Sequence, residues 1–101
     1  MAGSGSLSPT ITLNYPIAII LDADKYLFIA DYFNHRIIGS NSNGFRCIAG
    51  CSGSSGSASN QLSHPSSLSF DSYGNIFVTD FMNSRIQKFF FMTNSCSKYT
   101  R

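Results

Sequence analysis

Charge is scarce in this sequence: Asp, Glu, Lys and Arg make up 12% of its 101 residues, roughly half the share usual in globular domains. The net charge of +2 and the lack of any acidic or basic tract remove charge-driven steering as an argument. They do not by themselves point to nucleic acid. No apolar run approaches the roughly 18 residues needed to span a bilayer. The opening stretch "MAGSGSLSPT" has neither the basic nor the apolar region of a signal peptide. The expectation is a soluble chain with no membrane association and no targeting signal in the residues present, its compartment left open.

Helical periodicity is missing too. There is no Gly-x-Ser-x-Gly elbow, and "GCSGSSG" is followed by neither a helix nor Lys-Ser/Thr, so hydrolase and phosphate-cradle readings lack their residues. The three cysteines, Cys47, Cys51 and Cys96, contain no Cys-x-x-Cys pair or Cys/His quartet. A Cys47–Cys51 disulfide requires Gly50 to turn the chain, because four extended residues span roughly 13 Å against a bridging limit of ~7 Å. The alternative is three unpaired cysteines acting as small apolar residues. If the bridge forms, it suggests an extracellular parent. Two histidines are too few for a metal site within one chain, so no metal and no cofactor is expected.

What the sequence does have is a repeat. Leu13 to Ile37, "LNYPIAIILDADKYLFIADYFNHRI", lies over Leu62 to Ile86, "LSHPSSLSFDSYGNIFVTDFMNSRI", at a constant offset of 49 residues. Leu13/Leu62, Pro16/Pro65, Asp22/Asp71, Phe28/Phe77, Asp31/Asp80, Asn34/Asn83, Arg36/Arg85 and Ile37/Ile86 are identical. Cys47 and Cys96 keep the same spacing. Register this strict indicates two copies of one supersecondary unit.

Each copy reads as short strands split by turns: about Ala18–Leu21, then "YLFIAD", then Arg36 to about Ser40, then "FRCIA". The second copy gives "SLSF", "NIFVTD", "RIQKFFFM" and a thin "CSKYT". "DSYGN" is the better first turn, because Gly74 accepts positive φ where the first copy has Lys25. "LFIA" and "IFVT" are apolar at consecutive positions, a pattern for strands covered on both faces. Four-stranded units of this length, covered by neighbours, describe propeller blades.

These residues resemble the NHL repeat. The resemblance rests on the Pro-containing entries "LNYP" and "LSHP", the strands ending in Asp31 and Asp80, and the Asn-x-Arg-Ile elements Asn34–Ile37 and Asn83–Ile86. It implies an all-β fold: two four-stranded antiparallel blades of an NHL-type β-propeller, the ring incomplete and the second blade truncated. Such propellers usually have about six blades, so three two-blade chains would complete one. On this reading residues 1–12 are the end of a preceding blade or a connection, 13–48 the first repeat, 49–61 a Ser/Gly-rich connection and 62–101 the second repeat. The resemblance further implies a non-catalytic protein-interaction scaffold. Single-stranded RNA binding is the alternative, and a fragment of a metal-dependent lyase-like propeller a third reading.

The repetition itself sorts the candidate residues. A catalytic group is needed once, whereas a structural brace is needed in every blade. Asp31, Asn34 and Arg36, with Asp80, Asn83 and Arg85, therefore read as braces: Asp capping the turn after the second strand and pairing with Arg, Asn satisfying turn backbone. His35 has Ser84 as its equivalent, so no imidazole is required there. Tyr32, Phe33, Phe81 and Met82 occupy the same turns. They either pack between blades or, with His35 and Tyr73 as neighbours, form a partner-binding surface. The cations outside the braces, Arg46, Lys88, Lys98 and Arg101, are scattered, which counts against RNA. "KFFFM" is a β-rich, nearly uncharged run, and open blade faces beside it predict self-association, toward completing a propeller or toward poor solubility.

Overall fold

The computed structural model describes residues 10–91 and 99–100. Within them lie two antiparallel sheets. The first runs β1 (Pro16–Leu21), β2 (Leu27–Asp31), β3 (Arg36–Asn41), β4 (Gly44–Ala49), neighbours in space in that order. The second repeats it with β5 (Pro65–Phe70), β6 (Ile76–Asp80), β7 (Arg85–Phe91) and β8 (Tyr99–Thr100). Among the described residues β8 pairs two residues, Thr100 with Phe90 and Tyr99 with Phe91. The fold is all-β, two propeller-type blades with no closed ring. Most of the expected fourth strand of the second copy, Cys96 and residues 1–9 lie outside the described residues.

β1 begins two residues before the expected Ala18. Pro16 pairs with Asp31 and a bulge separates it from Ala18; β5 does the same with Pro65 and Asp80. Proline is tolerated there because the first residue of an edge strand need not donate to the ladder.

The backbone repeats as strictly as the sequence. Left-handed φ values occur at Tyr15 (64°) and His64 (58°), at Lys25 (68°) and Gly74 (86°), and at His35 (57°) and Ser84 (51°), each pair at the 49-residue offset. At the β1–β2 and β5–β6 turns the carboxylates of Asp22 and Asp71 accept the N–H groups of Asp24 and Tyr26, and of Tyr73 and Asn75, closing an Asx turn in each. Only the second turn has glycine at its left-handed position. Lys25→Gly is expected to stabilise the fold by about 0.5–1 kcal/mol, by removing Cβ strain larger than the added chain entropy. A thermal melt checks this, and an unchanged midpoint counts against it.

One face of the first sheet packs on one face of the second. Phe28, Ala30, Ile37 and Ala49 meet Leu68, Ile76, Val78 and Phe89, with Leu62 of the connection completing the cluster. In β2, Phe28, Ile29, Ala30 and Asp31 are all buried, as continuous apolar character predicts. β6 departs from that expectation. Ile76, Val78 and Asp80 are buried, but Phe77 and Thr79 are only partly so, because the first blade covers one side of the second.

Candidate functional site

Each blade is braced at the same end by one fully buried carboxylate. Asp80 accepts three bonds: the Ser63 N–H on Oδ1 (2.6 Å), and Asn83 Nδ2 (2.9 Å) and Arg85 Nε (2.6 Å) on Oδ2. Asp31 accepts the equivalent three, from the Asn14 N–H (2.7 Å), Asn34 Nδ2 (2.9 Å) and Arg36 Nε (2.8 Å). The guanidinium groups also hold the entry strap through its carbonyls: Arg36 donates to Thr12, and Arg85 to Ser57, Ala58 and Gln61. Asn83 donates to the Gly56 carbonyl as well.

This geometry differs from the expected one in two respects. Neither aspartate caps the 3-10 turn that follows it (Tyr32–Asn34 or Phe81–Asn83); the carboxylate reaches back 17 residues to the strap. Neither asparagine amide donates to its own turn's backbone; it donates to the carboxylate. The reason is competition. A buried carboxylate is acceptor-only and needs several donors, and charge-assisted bonds outweigh a neutral turn bond. Sequence reasoning missed the strap, because Asn14 and Ser63 contribute through backbone N–H groups that any residue carries.

The brace fixes the rim. Tyr32 and Phe33 donate backbone bonds to Tyr15 and Asn14, and Phe81 and Met82 to His64 and Ser63. Strap and turn are thereby tied in each blade, and His64 of the second strap meets the turn of the first blade. Its N–H donates to His35 Nδ1 (3.1 Å), and its ring centroid lies 4.5 Å from that of His35 and 4.9 Å from that of Tyr32. Tyr15 lies 5.5 Å from Phe33 and 5.6 Å from Tyr32, centroid to centroid. The rim of the first blade therefore carries an aromatic group of Tyr15, Tyr32, Phe33, His35 and His64; Phe33, and Phe81 and Met82 in the second blade's turn, are each about half exposed. Tyr73 does not join it. It sits in the β5–β6 hairpin turn, at the opposite end of β6, and is largely exposed.

Burial lowers the His35 pKa, and the neighbouring His64 lowers it further, against the opposing pull of Asp31 and Asp80. Nδ1 accepts a hydrogen bond, so the neutral ring fits. A depressed imidazole contributes stability above the unfolded value near 6.5, and that contribution is lost as pH falls through the folded value.

The family model for the NHL repeat matches residues 62–89. That stretch is similar to an NHL repeat, and it spans β5, β6 and most of β7. No curated protein matches the chain. Asp80, Asn83 and Arg85, which lie within the matched residues, are thus engaged in holding strap to strand, and their bonds to the carboxylate recur at Asp31, Asn34 and Arg36.

Cys47 and Cys51 are joined in a disulfide, their Cα atoms 5.8 Å apart, with Gly50 at φ 70° turning the chain between them. Among the described residues no three His, Cys, Asp or Glu side chains are grouped to hold a metal ion, and no helix is long and apolar enough to cross a membrane. Lys88 contacts Asp71 (3.6 Å) and lies over the Phe77 and Phe90 rings. Lys98 and Arg101 lie outside the described residues.

Proposed function

We propose that the chain is a non-catalytic propeller segment whose aromatic rim binds a protein partner. The observation behind this reading is the exposure of Tyr15, Phe33, Phe81 and Met82, between 49% and 59%, on one end of both blades. Large apolar and aromatic side chains held in fixed positions are the anchors of protein interfaces. They are fixed here by backbone bonds between strap and turn, so little order has to be gained on binding. The braces beneath them serve to hold this surface in place. The RNA alternative needs cations beside the rim aromatics; Arg36 and Arg85 are instead engaged by Asp31 and Asp80, and Lys88 pairs with Asp71 and lies over Phe77 and Phe90, away from the rim.

The test is affinity capture with the immobilised chain, followed by mass identification and titration of the retained protein. Replacing Phe33 and Met82 together by Ala is expected to weaken that partner at least about tenfold, as loss of interface anchors does. Equal retention by the double variant rejects the rim as the binding surface. Tight, salt-dependent binding of a uridine oligonucleotide, lost in the same variant, replaces the protein reading with the RNA one.

A further inference from the structure

We propose that a slot on the uncovered side of the second repeat receives the strap Leu13–Pro16 of a second copy of this chain. The slot is a concavity of about 440 Å³ lined by Thr79, Asp80, Phe81, Ser84, Arg85 and Ile86. Moving back 49 residues gives Ala30, Asp31, Tyr32, His35, Arg36 and Ile37. In the first repeat that same concavity is filled. Leu62 is fully buried in one cluster with Ala30 and Ile37. His64 donates its N–H to His35 and sets its ring against Tyr32 and His35. The filling segment is Leu-Ser-His-Pro, with its aromatic residue at φ 58°.

The chain contains another segment of this kind, Leu13-Asn14-Tyr15-Pro16, with Tyr15 at φ 64°. Its backbone is held by Asp31 and Arg36 just as Asp80 and Arg85 hold the second strap. The strap is therefore pre-shaped as a plug, and Tyr15 is 56% exposed. In the proposed contact Leu13 takes the place of Leu62. Tyr15 lies over Phe81, and the Ser84 hydroxyl accepts its N–H where His35 Nδ1 accepts that of His64.

The sheets on either side support the same pairing. Leu68 and Phe70 of β5 pack into the core between the blades, while their equivalents in β1, Ile19 and Leu21, are 57% and 56% exposed. Conversely Ile37 of β3 is fully buried, while its equivalent Ile86 in β7 is 61% exposed. Among the described residues the two halves of the internal blade-to-blade interface are thus both present and exposed, on opposite sides of one chain. The contact is heterologous, slot to strap, and repeats head to tail until the rotation closes. It goes beyond the rim reading: it takes Tyr15 and Phe81 into the joint and leaves Phe33 and Met82 exposed for a partner.

Sedimentation over a concentration series tests it. The wild-type chain is expected to associate with rising concentration. Ile86→Asp, Ile19→Asp and Tyr15→Asp, all at positions more than half exposed, are each expected to weaken association at least about tenfold while melting as the wild type does. An equimolar mixture of Ile86→Asp and Ile19→Asp chains has one intact slot and one intact strap face, so it is expected to stop at a one-to-one complex. A wild-type chain that stays monomeric throughout overturns the proposal, as does association that survives Ile86→Asp or a mixture that forms nothing.

Discussion

Asp80→Ala is expected to lose about 3–5 kcal/mol of folding stability, the range for breaking a buried charged group away from its partner. The substitution strands three donors at once: the Ser63 N–H, the Asn83 amide and Arg85 Nε. Asp80→Asn is expected to cost nearly as much despite its identical shape. Oδ1 and Oδ2 both accept in the native fold, and an amide in either orientation turns an NH2 toward a donor. Arg85→Ala is expected to cost less, because its side chain is 30% exposed and water replaces part of what is lost. The double variant Asp80→Ala/Arg85→Ala falls short of the sum, since neither charge is then left without the other. Asp31→Ala repeats the chemistry but not the full effect. The strap held by Asp80 carries fully buried Leu62, whereas the strap held by Asp31 carries Leu13, which is only partly buried. Urea midpoints for the five variants decide this. A stable Asp80→Asn, or an Arg85→Ala chain with unchanged stability, removes the brace from the account.

Much of this architecture was legible because it repeats. Asp31/Asp80 and Arg36/Arg85 stood out as braces through recurrence alone, and the strand order follows from apolar runs punctuated by Asx turns. The partners of those braces were hidden for a physical reason: more of the bonds end on backbone N–H and C=O groups of the strap than on side chains, and no side-chain pattern encodes them. The left-handed residues were hidden likewise. Tyr15, Lys25, His35, His64 and Ser84 are not glycines, and turn rules that look for glycine found Gly50 and Gly74 instead. For Tyr32 and Phe33 the sequence left packing and exposure both open. The two roles divide within the turn: Tyr32 is partly covered by the His64 ring and Phe33 faces outward. That division depends on the second strap crossing to the first blade, a contact between residues 29 apart for His35 and His64.

Gly50→Ala is expected to cost about 3 kcal/mol, combining a left-handed backbone penalty of roughly 1–2 kcal/mol with overpacking of similar size. Gly50 sits at φ 70°, and a Cβ there runs into the His35 carbonyl oxygen. It also comes within 3.1 Å of both Arg36 Cα and Leu62 Cδ1. The first two obstacles are backbone and cannot rotate away. Relief requires moving the end of β4 from the start of β3, and the third contact transmits that shift to Leu62 in the seam between the blades. Gly53 is the natural comparison. Its φ is 88°, but no atom lies within 4 Å of a Cβ built there, so Gly53→Ala should show the backbone penalty alone, about 1–2 kcal/mol. The difference between the two variants in urea isolates close approach from glycine's conformational freedom. Equal losses would mean that Gly50 serves only the turn between Cys47 and Cys51. A larger loss at Gly50 means that the blades are seated through the same tight contact that positions His35, and with it one end of the rim.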